Sequence, residues 1–80
     1  MKREDILVKL NEIFVDVFGD EDLHISEETN ADDIEAWDSL TNISILAAVQ
    51  DEFSVSFDID EIVKMKNVAD IVTGITVKLS

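Results

Sequence analysis

Proline is absent from the chain and glycine occurs only twice, at Gly19 and Gly74. A sheet of tight turns leans on both residue types to reverse direction, whereas helices joined by polar connections need neither. The apolar residues follow the helical alternative. Ile6, Leu10, Ile13, Phe14 and Val17 recur at spacings of four, three, one and three, which is one face of a helix. A helix is therefore predicted from about Arg3 to Phe18, with Gly19 where a left-handed stop is expected.

A second helix is predicted from Ser39 to about Phe53. Asp38 is placed to cap it, because a carboxylate there accepts hydrogen bonds from the orphan amides of the first turn. Thr41 stands at the third helical position, so the cap lacks the usual Glu or Gln of a capping box. This helix carries two apolar faces. Ile45, Leu46, Val49 and Phe53 form one, expected to pack on Leu10, Phe14, Val68 and Ile71. Leu40, Ile43 and Ala47 form the other. One stripe suffices for a core, so the second is read as a partner surface.

Ser54 to Asp58 reads as an extended loop, and Asp58 or Asp60 caps a short third helix through about Val63. Asn67 caps a fourth, with Val68, Ile71, Val72, Ile75 and Leu79 on one face; Gly74 inside it lowers local helix stability by about 1 kcal/mol relative to Ala. Between the first two helices, Asp20 to Asp38 holds nine acids and little periodicity. Leu23, Ile25, Ile34 and Trp37 are its candidate tethers, with a short helical turn expected near Asp32 to Glu35. The expected fold is all-α: a small four-helix bundle of three longer helices and one short one, with a long loop between the first and second. Eighty residues, 46% of them hydrophobic, make one domain spanning 1–80, too small for a deep cleft of its own.

Charge narrows the function. The net charge is −13, and no Lys or Arg lies between Lys9 and Lys64, a span holding sixteen acids. Such a surface repels nucleic-acid phosphates and anionic lipids and attracts basic protein patches. Binding to nucleic acid is not expected. Neither a signal peptide nor a membrane span is evident, so the expected compartment is the cytoplasm, with no membrane insertion. Cysteine is absent, so any thioester chemistry needs a thiol from elsewhere. With one histidine and no nucleophile–base pair in view, the chain is not expected to be an enzyme, and no metal site is expected.

Ser39 is the sharpest candidate for chemistry. It sits just inside a predicted helix start, after a long loop, where amides and dipole favour an attached phosphate. Spacing alone favours the plainer reading, a polar first-turn residue beside its cap. Other signals are weaker. His24 stands alone as a loop residue. Asp58, Asp60 and Glu61 resemble part of a calcium loop but lack its turn glycine and closing Glu. Asn42-Ile43-Ser44 fits a glycosylation pattern, discounted because it falls on a helix. Trp37 is read as a loop anchor.

Trp37-Asp38-Ser39-Leu40 followed by an amphipathic helix resembles the attachment site of acyl carrier proteins. The similarity continues through Leu46, Val49 and Asp51-Glu52-Phe53, then Val55 and Phe57 to Ile62, then Val68 to Ile75, and includes Ile6 to Phe18. This resemblance implies that Ser39, flanked by Asp38 and Leu40, receives 4′-phosphopantetheine from coenzyme A through a separate phosphopantetheinyl transferase. The arm would supply the missing thiol and carry acyl groups as thioesters in fatty-acid, polyketide or related biosynthesis. The implied partners are acyl-transferring or acyl-activating enzymes with basic or apolar docking patches, met by Leu40, Ile43, Ala47, Asp51 and Glu52 on a monomer. A peptidyl or D-alanyl carrier using the same serine is the alternative within the class; an acidic adaptor that only docks is the alternative outside it. Two departures stand out. Ser54 replaces the family's usual glycine, so the second helix is expected to end differently. Thr41, Ser44 and Gln50 stand where relatives often carry acids, which shifts the expected partner contact toward apolar area.

Overall fold

The computed structural model describes residues 1–80 and contains four helices: α1 (Arg3–Phe18), α2 (Ser39–Phe53), α3 (Ile59–Lys64) and α4 (Val68–Leu79). α1 packs against both α2 and α4, and the short α3 packs against α2. Each long helix contributes one stripe to a shared core, whose fully buried centre includes Ile6, Leu10, Phe14, Leu46, Ile71 and Val72. Aromatic rings extend it toward the connection. Phe14 meets Trp37 edge-on with centroids 5.0 Å apart, a favourable quadrupole arrangement.

The helix ends follow from local chemistry. α1 begins with Glu4 and Asp5 against the positive end of its dipole and stops at Gly19, whose φ of 65° is the left-handed conformation that glycine adopts without strain. The Gly19 N–H donates to the Val15 carbonyl at 2.8 Å. Asn67 accepts the Asp70 N–H at 2.7 Å and so caps α4 as expected.

Four expectations change. The lack of a glycine predicts a different ending for α2, yet Ser54 adopts the same left-handed turn, φ 55°, and donates its N–H to the Gln50 carbonyl. Gln50 makes this possible. Its side chain accepts the Phe57 N–H at 2.8 Å and donates to the Leu46 carbonyl at 3.1 Å, bracing the chain on both sides of the strained residue. Second, Asp32 to Glu35 forms turns rather than a helical turn. Asn30 accepts the Asp32 N–H at 2.8 Å and Asp33 accepts the Asn30 N–H at 3.0 Å, local bonds that compete with helix formation. Third, Leu79 lies exposed, because α4 ends there with nothing packed over it. Fourth, Gly74 does more than weaken α4. A Cβ at that position would lie 2.7 Å from the Met65 methyl and 3.2 Å from the Phe57 ring, so the glycine lets the segment around α3 approach.

The connection crosses the bundle with Ile25 and Trp37 buried and Leu23 and Ile34 half-buried, the four tethers the sequence suggested. It also pairs its backbone with the residues at the start of α4. Ala31 donates to the Lys66 carbonyl at 2.9 Å, and Val68 donates to the Thr29 carbonyl at 2.8 Å.

Candidate functional site

Asp38 fixes the start of α2. Its carboxylate accepts the Leu40 and Thr41 amides, each at 3.0 Å. The Asp38 N–H in turn donates to the Thr41 hydroxyl at 2.7 Å, and that hydroxyl reaches the Ala36 carbonyl at 2.9 Å. Thr41 thus closes a reciprocal box without the Glu or Gln that usually does so, a role the sequence reading did not give it. The amide of Thr41, joined by that of Leu40, holds the Asp38 carboxyl below the usual carboxylate range, against the smaller opposing effect of burial.

Ser39 is the first residue of this capped helix and is exposed. None of the cap's hydrogen bonds uses its hydroxyl. It sits at the edge of a pocket of about 410 Å³. Trp37, Asp38, Asn42 and Ile43 form the near side of the pocket, Ile62, Val63 and Lys66 the far side. Lys66 is the only cation among its lining residues, which also include Asp32 and Asp38. An exposed, unengaged hydroxyl at a helix start, beside an open pocket with one cation, suits a tethered phosphodiester. The sequence reading brought forward Ser39, Asp38 and Ile43, and the structure gathers these at the pocket.

The remaining candidates lie outside it. Leu40, 77% exposed, and Ala47 continue a surface stripe with Ile43, which is 44% exposed. Asp51 extends the same stripe one turn further, while Glu52 turns aside and pairs with Lys9 at 3.7 Å. Of the three polar residues replacing acids, only Ser44 is exposed; Thr41 serves the cap and Gln50 the turn at Ser54. Ile59 and Val63 add exposed apolar surface on α3 that the sequence reading missed. Asn42 was missed as well. Its spacing to Ile45, Leu46, Val49 and Phe53 was the available signal, since it places an amide on the buried stripe. Glu61, from the calcium-loop fragment, instead accepts the Asp58 N–H at 2.9 Å and meets Lys78 at 3.4 Å; the first contact chiefly lowers its pKa.

The family model described as "Phosphopantetheine attachment site" matches residues 8–75. An acyl carrier protein of Petrotoga mobilis is 32% identical over 81 residues, covering all of this chain and 94% of the relative. The solution NMR structure of holo acyl carrier protein from Geobacter metallireducens superposes with a TM-score of 0.81 at 36% identity, over 91% of this chain and 84% of that one. The crystal structure of an acyl carrier protein from Thermotoga maritima gives a TM-score of 0.86 at 26% identity, over 99% of this chain and 92% of its own. No helix of the fold is long and apolar enough to cross a membrane.

Proposed function

The chain belongs to the acyl carrier protein family, carriers of phosphopantetheine and not enzymes, and from that premise we propose that Ser39 is the attachment point and that the arm presents acyl thioesters to biosynthetic enzymes. The observation that carries the assignment is the exposed Ser39 hydroxyl at the start of α2, free of the cap formed by Asp38 and Thr41. Transfer from coenzyme A breaks its diphosphate bond and forms a phosphodiester to Ser39 Oγ. The nucleotide leaves, and the serine proton passes to a base on the transferase. The cap's hydrogen bonds tie the backbone of residues 38–41, which presents Ser39 to the transferase from a defined helix start.

The carrier acts in the cytoplasm, where coenzyme A is supplied, as a monomer in fatty-acid, polyketide or related synthesis. Leu40, Ile43 and Ala47 supply the apolar part of the docking surface, and Asp51 and Glu52 the charge that speeds encounter. The test is labelling with coenzyme A and a broad-specificity phosphopantetheinyl transferase, followed by intact mass. Ser39→Ala is expected to abolish the mass increase. Equal labelling of the variant would overturn the assignment of Ser39. The intact mass of protein from its native host then identifies the cargo, acyl or aminoacyl.

A further inference from the structure

Asn42 is the one polar side chain among the buried residues, 7% exposed in an otherwise apolar interior. A buried amide is destabilising unless both of its halves are bonded. Here both are. The Trp37 indole Nε1–H donates to Asn42 Oδ1 at 3.0 Å, and Asn42 Nδ2 donates to the Ile62 carbonyl at 2.9 Å. The indole can only donate and the carbonyl can only accept, so these partners fix which way the amide points. The Asn42 backbone N–H closes the first turn of α2 on the Asp38 carbonyl at 2.9 Å. One residue therefore joins the end of the connection, the start of α2 and α3.

Those three elements supply most of the lining of the pocket beside Ser39. Trp37 and Asn42 belong to one side and Ile62 to the other, and Asn42 bonds to both of the others. No other side-chain hydrogen bond links these walls across the pocket. α3 has six residues, too few to persist without tertiary support. On the side of the pocket its ties are the buried Ile62 side chain and this bond to the Ile62 carbonyl, the exposed Glu61–Lys78 pair lying toward α4.

We propose that Asn42 is a positioning residue for Ser39, a cross-brace that holds Trp37 and α3 at a fixed separation and so sets the width of the pocket beside the attachment hydroxyl. The proposal rests on the reading of Ser39 as attachment point. The brace presents Ser39 to the transferase on a preset surface and limits what can lie in the pocket next to the arm.

Trp37 is the only tryptophan, so its fluorescence reports the brace whether or not the arm is attached. Asn42→Leu removes both bonds at similar volume. Asn42→Asp keeps an acceptor for Trp37 but sets a carboxylate against the Ile62 carbonyl; its protonation supplies a donor and restores the brace. The charged groups lining the pocket are Asp32, Asp38 and Lys66, and they are common to every variant. Val72→Ala, a buried truncation on α4 outside the pocket, controls for plain loss of core.

With all proteins assayed below their melting temperatures, Asn42→Leu is expected to shift the Trp37 emission and lower kcat/KM for phosphopantetheinyl transfer about tenfold. Val72→Ala should transfer at the wild-type rate. At neutral pH Asn42→Asp should behave like Asn42→Leu. On acidification short of unfolding it should regain the wild-type emission, while Asn42→Leu does not. Wild-type emission and transfer in Asn42→Leu, an equal defect in Val72→Ala, or no acid recovery in Asn42→Asp would each overturn the brace. Should Asn42→Leu not fold, Trp37→Phe removes the donor, keeps the ring and carries the same transfer measurement. Labelling of Ser39→Ala would overturn the attachment assignment instead and leave the fluorescence comparison standing.

Discussion

Helix α2 and the connection leading into it, residues 20–38, adjoin in sequence and in space but are held by different forces. α2 satisfies its backbone internally and sinks Ile45, Leu46, Val49 and Phe53 into the core. The connection has no such ladder and buries only Ile25 and Trp37. Side chains tie it down. Asn11 donates to the Leu23 carbonyl at 3.2 Å and accepts the Ile25 N–H at 2.8 Å, Arg3 grips Glu27, and two backbone bonds hold it to the start of α4. Each region is therefore vulnerable in its own way: α2 to lost apolar volume, the connection to lost polar partners. Ser39 stands on the seam, rigid because of the helix start and accessible because of the loop.

The largest expected effect falls on the helix. Phe53→Ala should cost about 3–5 kcal/mol, a large part of the stability of so small a domain. Ile43→Glu, on the other face of the same helix, should stay within about 1 kcal/mol of wild type because Ile43 is already half exposed. It should instead slow transfer to Ser39 or turnover by a partner enzyme. Chemical denaturation and transferase kinetics on the pair separate the two faces. An unfolded Ile43→Glu protein, or one kinetically silent with transferase and partners, would break the distinction between a core face and a docking face.

In the connection the vulnerable point is Asn11. Asn11→Ala leaves the Ile25 N–H and Leu23 carbonyl without a protein partner, both in a partly buried place. The expected loss is about 1–2 kcal/mol, since water replaces part of what the amide supplied. Faster amide hydrogen exchange should be confined to the residues around Ile25, with α2 unchanged. Exchange that rises equally in α2 would mean the two regions open as one unit.

This contrast also explains what could be read from the sequence. The helices were legible because burial leaves a period of 3.6 in residue type: Ile6, Leu10 and Phe14 announce α1 by their spacing alone. Asp38 as a cap and Ser39 just after it were legible from local chemistry. The connection's ties were not, because Asn11 with Ile25, and Asn30 with Asn67, join residues whose proximity only the fold creates. Thr41 was read as leaving the box open, because a hydroxyl stands where Glu or Gln is usual, yet it closes the box. Asn42 was visible as a position on the buried stripe, but its partners Trp37 and Ile62 lie on other elements.

A smaller effect tests the far end of α2. Ser54 holds a left-handed conformation that disfavours any side chain, with Gln50 bracing it. Ser54→Gly relieves that strain but gives the unfolded chain more freedom, for a net gain of about 0.5–1 kcal/mol. The gain should appear as a higher denaturation midpoint with unchanged slope. A loss of stability would show that the serine side chain contributes something the backbone geometry does not reveal.

The smallest effect belongs to the connection's ion pair. Arg3 hydrogen-bonds Glu27 and also reaches the Thr73 hydroxyl at 3.1 Å, so it links α1, the connection and α4. Both charged side chains remain about two-fifths exposed, which keeps the pair's contribution small. The hydrogen bond from Arg3, more than simple charge attraction, lowers the Glu27 pKa in the folded chain. Because the folded value lies below the unfolded one, the pair stabilises above the ordinary carboxylate range, and that stability is lost as pH falls through the folded value. Asp38 and Glu61 are shifted in the same direction, but they are present in wild type and in Glu27→Gln alike and cancel in a comparison of the two. Wild type should therefore melt slightly above Glu27→Gln at neutral pH, and the two should converge in acid. Added salt should also narrow the neutral-pH gap, as expected for an exposed pair. A gap that persists through the acid range would assign the effect of Glu27 to packing of its side chain, and charge would then drop out of the account of what holds the connection.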